Sequence, residues 1–394
     1  MLHVFLTNIL CIGDKYIKQL FTITPNIDYI RLIIRYIFYL LISVIIILYI
    51  WIKLRFQFWS RQPVFHIYNI YYWLFYQGII QKELPEKNKF YAYNYQTDNY
   101  IPKNSLVEFI GKHFLNRQDI VYKPTIEAMT LLFKQSIQPL ITTYYKDNQL
   151  VGCITARRLT ISLNNYTCPT RIEMSCYYID FLCVHKDYRK QNIAPCLIQT
   201  HEYNQREKTK VLVSLFKREG ELNVIVPLVL YKTYGYVIYK WKQEVTTLSI
   251  SAQQLIYILP RFNHLVCKII PNLSTLIDLV KSKLLTLWII GNIDNVAALY
   301  IFRDTQTNFR KKQCVECLGS YNFTLSHDIF LKGFTSSLSQ STYGFVFVEN
   351  LGDNNIINQL LGHQQTPSTV CPMAYYLYNY VYKPIKASDV LIIA

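Results

Sequence analysis

The chain is short of carboxylates. Its 394 residues hold 25 Asp and Glu against 41 Lys and Arg, a formal charge of +16, although only 17% of the residues are charged. This excess reflects missing acids more than added bases, so it favours anionic partners such as phosphates or lipid headgroups without choosing among them. A second paired-cysteine motif is also missing. Of ten cysteines only Cys314 and Cys317 form a close pair, and nothing completes a tetrahedral zinc site. No metal is expected, and the thiols read as reduced, buried side chains of a cytosolic domain. No long low-complexity linker divides a chain that is long enough for two domains or for one large domain of two halves.

One stretch lacks charge altogether. Residues 36–52, "YIFYLLISVIIILYIWI", run uncharged between Arg35 and Lys53. That length is at the low end for crossing hydrocarbon, and snorkelling by Arg31, Arg35, Lys53 and Arg55 extends it. Tyr49 and Trp51 suit an interfacial belt. The run is aliphatic on every face, where a core helix would keep a polar stripe. It also lies too far from Met1, and without the small-residue cleavage site, to be a signal peptide. A transmembrane helix is therefore expected over residues 29–53, after a segment 1–28 whose apolar start, "MLHVFLTNILCIG", is too short to span and suits the membrane interface. Basic residues flank both ends, so charge does not orient the span. Residues 67–80, "IYNIYYWLFYQGII", fit either a bilayer surface or a core.

Beyond residue 54 the pattern is mixed α and β. "SLVEFIGKHFL" (105–115) has helical spacing, with Ser105 as N-cap and Glu108 completing a capping box. "PLITTYYKDNQLVGCITARRLTISL" reads as two strands joined by a Lys-Asp-Asn turn. "IDFLCVHKDYRKQNIAPCLI" (179–198) then passes from apolar strand through a basic turn into a helix. "TKVLVSLFK" reads as a strand, and "LVLYKTYGYVI" as a short helix leading through Gly235 into another strand. Exposed N–H groups at a helix start can cradle a pyrophosphate, and Lys186, Arg189 and Lys190 add full charges.

This order of elements resembles the acyl-CoA-dependent N-acetyltransferase (GNAT) superfamily. Arg189-Lys190-Gln191-Asn192-Ile193-Ala194 is similar to its pyrophosphate loop, with Asn192 and Ala194 in place of glycines. Residues 230–236 resemble its later L-Y-x-x-x-G-F/Y element. Read whole, residues 179–198 resemble a sharper signature, the "E-I-N-F-L-C-V-H-K-x-x-R-x-K-R-x-A-P-x-L-I" of N-myristoyltransferases. Two distant blocks agree: "FQFWSRQPV" (56–64) is similar to the family's "Y-x-F-W-x-T-Q-P-V", and "YYLYNYVYKPIKASDVLIIA" (375–394) to its ending.

The resemblance implies an α+β fold of two tandem GNAT-like halves forming one saddle-shaped domain, preceded by the transmembrane helix. The first half, 54–240, would bind acyl-CoA; the second, 241–394, would bind peptide. It implies transfer of a myristoyl group from myristoyl-CoA to the N-terminal glycine amine of proteins, by direct attack without an acyl-enzyme. The acyl donor is then a substrate, and no permanently bound cofactor is expected. Backbone amides of Phe181 and Leu182 would form the oxyanion hole on a bulged strand, and the carboxylate of Ala394 would take the amine's proton. Coenzyme contacts would come from Phe58 and Trp59, from Phe181, Leu182, Cys183 and Val184, and from Lys186. The loop would add Arg189, Lys190, Gln191, Asn192, Ile193 and Ala194. Cys183 and His185, two apart on a strand, read as packing or coenzyme-lining residues and not as a nucleophilic dyad.

The amine-holding residues depart from the family. Its "Y-T-A-G" threonine falls in Phe216-Lys217-Arg218-Glu219-Gly220 and is absent. Its "F-N-A-L-D" asparagine is matched by Glu349 or, after a one-residue shift, Asn350. Asp180 replaces the asparagine before the Phe-Leu pair. Expected partners are glycine peptides, acyl-CoA and a membrane, not nucleic acid, with the chain a monomer crossing the membrane once and its catalytic part in the cytosol. Two other functions fit: an acyltransferase of different acyl or acceptor specificity, and a silent membrane protein that binds acyl-CoA or glycine peptides.

Overall fold

The computed structural model describes residues 27–394 apart from 101, 116–118, 135, 165–169, 221–223, 240 and 340. The interfacial segment expected over residues 1–28 thus lies almost wholly outside the described residues. The chain divides into two units, one ending at Arg61 and the other Gln62–Ala394.

In the first unit a single helix, Ile27–Arg55, covers the uncharged run and overshoots it at both ends. Seven consecutive side chains from Tyr36 to Ile42 are exposed, which at 3.6 residues per turn means every face of the helix is apolar and uncovered. The helix is long and apolar enough to cross a membrane, and none of it is buried. Ser43, the polar side chain within the run, donates its hydroxyl to the Tyr39 carbonyl at 2.8 Å. A 3₁₀ turn, Trp59–Arg61, follows, where Lys53 Nζ donates to the Ser60 carbonyl at 2.9 Å.

The second unit is built on a 15-stranded sheet. Its first half follows the sequence reading. Leu140–Lys146 and Gln149–Asn164 form a hairpin turned at Asp147 and Asn148, both in the left-handed region that Asn and Asp tolerate best. Arg171–Val184 pairs antiparallel with the second of these, the helix Ile193–Thr209 crosses over, and Ser214–Glu219 returns parallel to Arg171–Val184. The same motif recurs later. Val296–Phe309 and Lys312–Asn322 form a hairpin, His327–Leu338 crosses over, and Phe345–Glu349 returns parallel. Strands from the two motifs interleave: Thr369–Tyr378 lies between Ser214–Glu219 and Val229–Val237, and Val229–Val237 lies between it and Phe345–Glu349. That exchange leaves no seam at residue 240, so Gln62–Ala394 is one compact unit.

Three local expectations are corrected. Residues 228–238 contain no helix; Val229–Val237 is one strand, bonded on both sides by strands more than a hundred residues away. Its β-branched and aromatic residues alternate in burial, and this pairing decides the conformation. The helix at residues 105–115 is real but begins at Asn104, with Lys103 at the cap and no side-chain cap bond. Ser105 therefore sits inside the first turn and forms no capping box. The strand expected from Thr209 starts only at Ser214, because the helix runs on to Thr209 and ends on Lys210 in the left-handed region.

The aromatic stretch at residues 67–80 divides between its two readings. In the short helix Ile70–Leu74, Tyr72 and Trp73 pack on buried Phe65, with Trp73 at a ring distance of 4.8 Å. Ile70, Tyr71, Leu74 and the following Phe75 are exposed. The helix Ile193–Thr209 is anchored by polar contacts: Ser214 Oγ donates to buried Glu202 at 2.9 Å, and buried His201 bonds Thr142 at 2.8 Å.

Candidate active site

The stretch at residues 179–198 places its parts around one cavity of about 440 Å³. In the strand Arg171–Val184, Asp180 pairs with Thr155 and Cys183 with Cys153, so Phe181 and Leu182 face the single residue Ile154. This is a two-against-one bulge. Phe181 has φ +41°, a conformation that strains a side-chain-bearing residue and is held here by packing. Its ring meets Phe114 at 5.4 Å and stacks on Tyr122 at 5.8 Å. Asp180, just before the bulge, is tied to buried Arg157 at 3.1 Å.

After the strand a 3₁₀ turn, Lys186–Tyr188, leads through Arg189 to the helix start at Ile193. Lys190 and Asn192 both take positive φ, +67° and +60°. Asn192 thus fills a position that favours glycine with a residue that tolerates it, whereas Ala194 lies within the helix and needs no such freedom. The cavity is lined by Leu182, Cys183 and Val184 from the strand, by Arg189, Lys190, Asn192, Ile193 and Ala194 from the loop and helix start, and by His113 and its neighbours opposite. Lys186 and Gln191 stand exposed on the same loop without lining it, and Phe181 packs behind the wall. Phe58 and Trp59 belong to the first unit, where their rings meet edge to face at 5.1 Å.

Arg189 turns its guanidinium onto main-chain carbonyls, Val184 at 3.2 Å and His113 at 2.8 Å, and so ties the helix Asn104–His113 to the loop. The His113 ring packs against His185 in a tilted arrangement, with centroids 4.2 Å apart. Burial, reinforced by the neighbouring His185 imidazole, holds the His113 imidazole down at about 4, so it is neutral at ordinary pH. Cys183 is buried opposite Cys153 and lines the cavity.

The distant sequence blocks also meet. Asn379 N–H donates to the Pro63 carbonyl at 2.7 Å, Tyr378 donates to Gln62 at 2.6 Å, and Val64 bridges to Tyr378. The final strand Val390–Ile392 pairs parallel with Cys267–Pro271, and Ile393 N–H donates to Ile269, so the main chain is fixed almost to Ala394, itself 6% exposed.

Sequence reading missed a buried ionic cluster beside these elements. Lys217 lies within it. Its ammonium donates to Glu349 and, at 3.1 Å, to Glu316. Arg303 donates from one nitrogen to the other Glu316 oxygen and from the second to the main-chain oxygen of Ala394. Tyr231 donates to Glu349 at 3.2 Å, and the second Glu349 oxygen has no partner. Against the push of burial, Lys217 and Arg303 hold Glu316 well below the usual carboxylate range. Burial lifts Glu349 to about 8, with Lys217 pulling the other way. The signal was a single charge ending or interrupting each of several apolar runs, "ALYIFR", "CVECLG" and "FVFVE".

Residues 78–217 match the N-terminal domain of myristoyl-CoA:protein N-myristoyltransferase. Over 153 residues the chain is 26% identical to a provisionally named glycylpeptide N-tetradecanoyltransferase of Amsacta moorei entomopoxvirus, covering 38% of this chain and 48% of the viral protein. The chain thus matches about half the length of that curated relative. The fold is similar to Saccharomyces cerevisiae N-myristoyltransferase with bound myristoyl-CoA, with a TM-score of 0.67 and 12% identity over 86% of this chain and 99% of the yeast chain. A second structure of the yeast protein gives a TM-score of 0.67 and 13% identity, over 84% and 89%. At such identities the likeness speaks for the fold, the α+β architecture expected from sequence.

Proposed function

We propose that the chain is a myristoyl-CoA:protein N-myristoyltransferase, the family whose N-terminal domain residues 78–217 match, and that it transfers a myristoyl group from myristoyl-CoA to the N-terminal glycine amine of proteins. The observation that carries this reading is the bulge at Phe181 and Leu182 on the wall of a cavity whose other side is a basic loop and helix start.

The coenzyme's phosphates sit against the helix start at Ile193 with Arg189 and Lys190 beside them. The thioester lies over the bulge, where the amides of Phe181 and Leu182 meet the oxygen as it gains charge. The terminal carboxylate of Ala394 accepts a proton from the glycine ammonium, and the free amine attacks the thioester carbon. The C–S bond breaks, the second proton of the attacking amine passes to the departing sulfur, coenzyme A leaves as the thiol, and the amide remains. Myristoyl-CoA acts as a substrate, so no resident cofactor enters. Residues 54–240 form the acyl-CoA half and 241–394 the peptide half. The helix Ile27–Arg55 anchors a monomer in a membrane with a single crossing, and acyl-CoA supply puts the catalytic part in the cytosol.

The test is incubation of the detergent-solubilised chain with labelled myristoyl-CoA, a series of other acyl-CoAs and Gly-initiated peptides. Transfer that is strongest with the fourteen-carbon donor and is lost on deleting residues 392–394 supports the reading. Transfer of another acyl chain would reassign the specificity. In sealed vesicles, residues beyond Lys53 should be open to protease on the cytosolic face; protection there would overturn the topology.

One observation favours a second reading. A cation, Lys217, stands where the resembled family holds the acceptor amine with a threonine, which suits a protein that binds acyl-CoA or glycine peptides without transfer. Binding with no transfer in the same assay would select it.

A further inference from the structure

We propose that Arg303 is a positioning residue that clamps the Ala394 carboxylate in the orientation needed to take the acceptor amine's proton. This rests on the carboxylate reading above and adds a residue that the sequence signature does not contain.

A chain end is ordinarily the most mobile part of a strand, yet a proton acceptor must be held to within fractions of an ångström and a few tens of degrees. Ladder pairing ends at Ile392, and the last main-chain bond is donated by Ile393. Nothing in the sheet orients the group after it. Arg303 does so from the strand Val296–Phe309, which is not paired with the final strand, donating to the Ala394 oxygen.

The clamp is itself immobilised. A guanidinium is planar, so once one nitrogen is fixed the direction of the other is set. Here the second nitrogen is fixed on Glu316, whose other oxygen accepts from Lys217 at 3.1 Å, and Lys217 in turn bonds Glu349. Three side chains from three other strands thereby aim one guanidinium. Arg303 keeps 28% of its side chain exposed while Glu316 keeps 10% and Glu349 none, so it forms the open edge of an otherwise closed cluster. Its charge also acts on the hydroxyl of Tyr122, whose ring stacks on Phe181.

Steady-state kinetics of the full chain with R303M, R303K and R303A tests this. Loss of the clamp should lower kcat in R303M by about 100-fold, as expected when a catalytic group drifts by about an ångström. KM for myristoyl-CoA should stay within about twofold, because the phosphate site is separate. R303K should fall between the two, and guanidinium ion added at non-denaturing concentration should raise R303A by roughly 10-fold, a response that a purely structural role would not give. Myristoyl-CoA binding by each variant serves as the check on folding. The assignment fails if R303M keeps kcat within about threefold of wild type, or if kcat and myristoyl-CoA binding are lost together and guanidinium restores nothing. A wild-type chain that transfers no myristoyl group defeats the preceding section's reading and this one with it. An active wild type indifferent to Arg303 defeats only this one.

Discussion

Replacing Lys217 by Met should destabilise the protein, and by more at high pH than at low. In the folded chain the Glu349 carboxyl, fully buried, sits at about 8 instead of its ordinary 4.5. A group raised on folding stabilises below its unfolded value, and that contribution is lost as pH rises through the folded one, so wild type should weaken between about pH 4.5 and pH 8. Above pH 8 Glu349 is ionised beside Lys217 and the decline levels off. In K217M there is no cation to answer that charge, so Glu349 keeps its proton to higher pH and the decline continues. At pH 6, where Glu349 is neutral in both, the loss should be about 3 kcal/mol, the scale for breaking a buried ion pair with Glu316. One pKa unit corresponds to about 1.4 kcal/mol, so by pH 9 the loss should have grown by roughly that amount. Urea denaturation of the detergent-solubilised full chain at pH 6, 7.5 and 9, followed by intrinsic fluorescence, reads both figures. K217M/E349Q, which removes the buried acid with its partner, should abolish the growth with pH. A K217M penalty that is flat with pH, or smaller at pH 9 than at pH 6, would show that Lys217 does not support an ionised Glu349.

Two further outcomes follow from particular residues. Asn192 at φ +60° should tolerate Gly but not Val: a β-branched residue there is strained by about 1–3 kcal/mol, so N192V should weaken myristoyl-CoA binding roughly 10-fold by calorimetry while N192G stays near wild type. Glu202 is lifted by burial to about 7, so its contribution is present below about pH 4.5 and lost as pH rises through 7; E202Q should remove about 3 kcal/mol of the decline in stability between pH 5 and pH 9, leaving the part due to Glu349.

The bulge, turn and helix start around the cavity were legible in the sequence because they are local. Twenty contiguous residues carry the bulge, the turn and the helix start, and neighbours in sequence remain neighbours in space across a strand-turn-helix unit. Even the substitution of Asn192 for glycine keeps the backbone requirement, since the residue that replaces it is one that enters the left-handed region readily. Where the reading failed, the deciding partner was remote. Val229–Val237 looks helical along its own length and is a strand only because Phe345–Glu349 and Thr369–Tyr378 close on both its edges. Local propensity carries no information about either.

The same distance hid the ionic cluster, and it changes what the departures from the family mean. In the sequence Lys217 and Glu349 are 132 residues apart and look like two unrelated losses, a threonine replaced by a cation and an asparagine matched by an acid. In the fold they are one event. The strands Ser214–Glu219 and Phe345–Glu349 bring the two side chains into direct contact, and Arg303 and Glu316 extend the pair toward Ala394. A buried cation with no acid beside it would carry a desolvation penalty of several kcal/mol, and Lys217 meets that cost through Glu316 and Glu349 together. A compensated pair leaves the surrounding strands intact, and the site it borders need not have decayed. Lys217 is thus poor support for a silent protein when taken with its partners: the charge that seemed to repel an ammonium is already committed to Glu316 and Glu349.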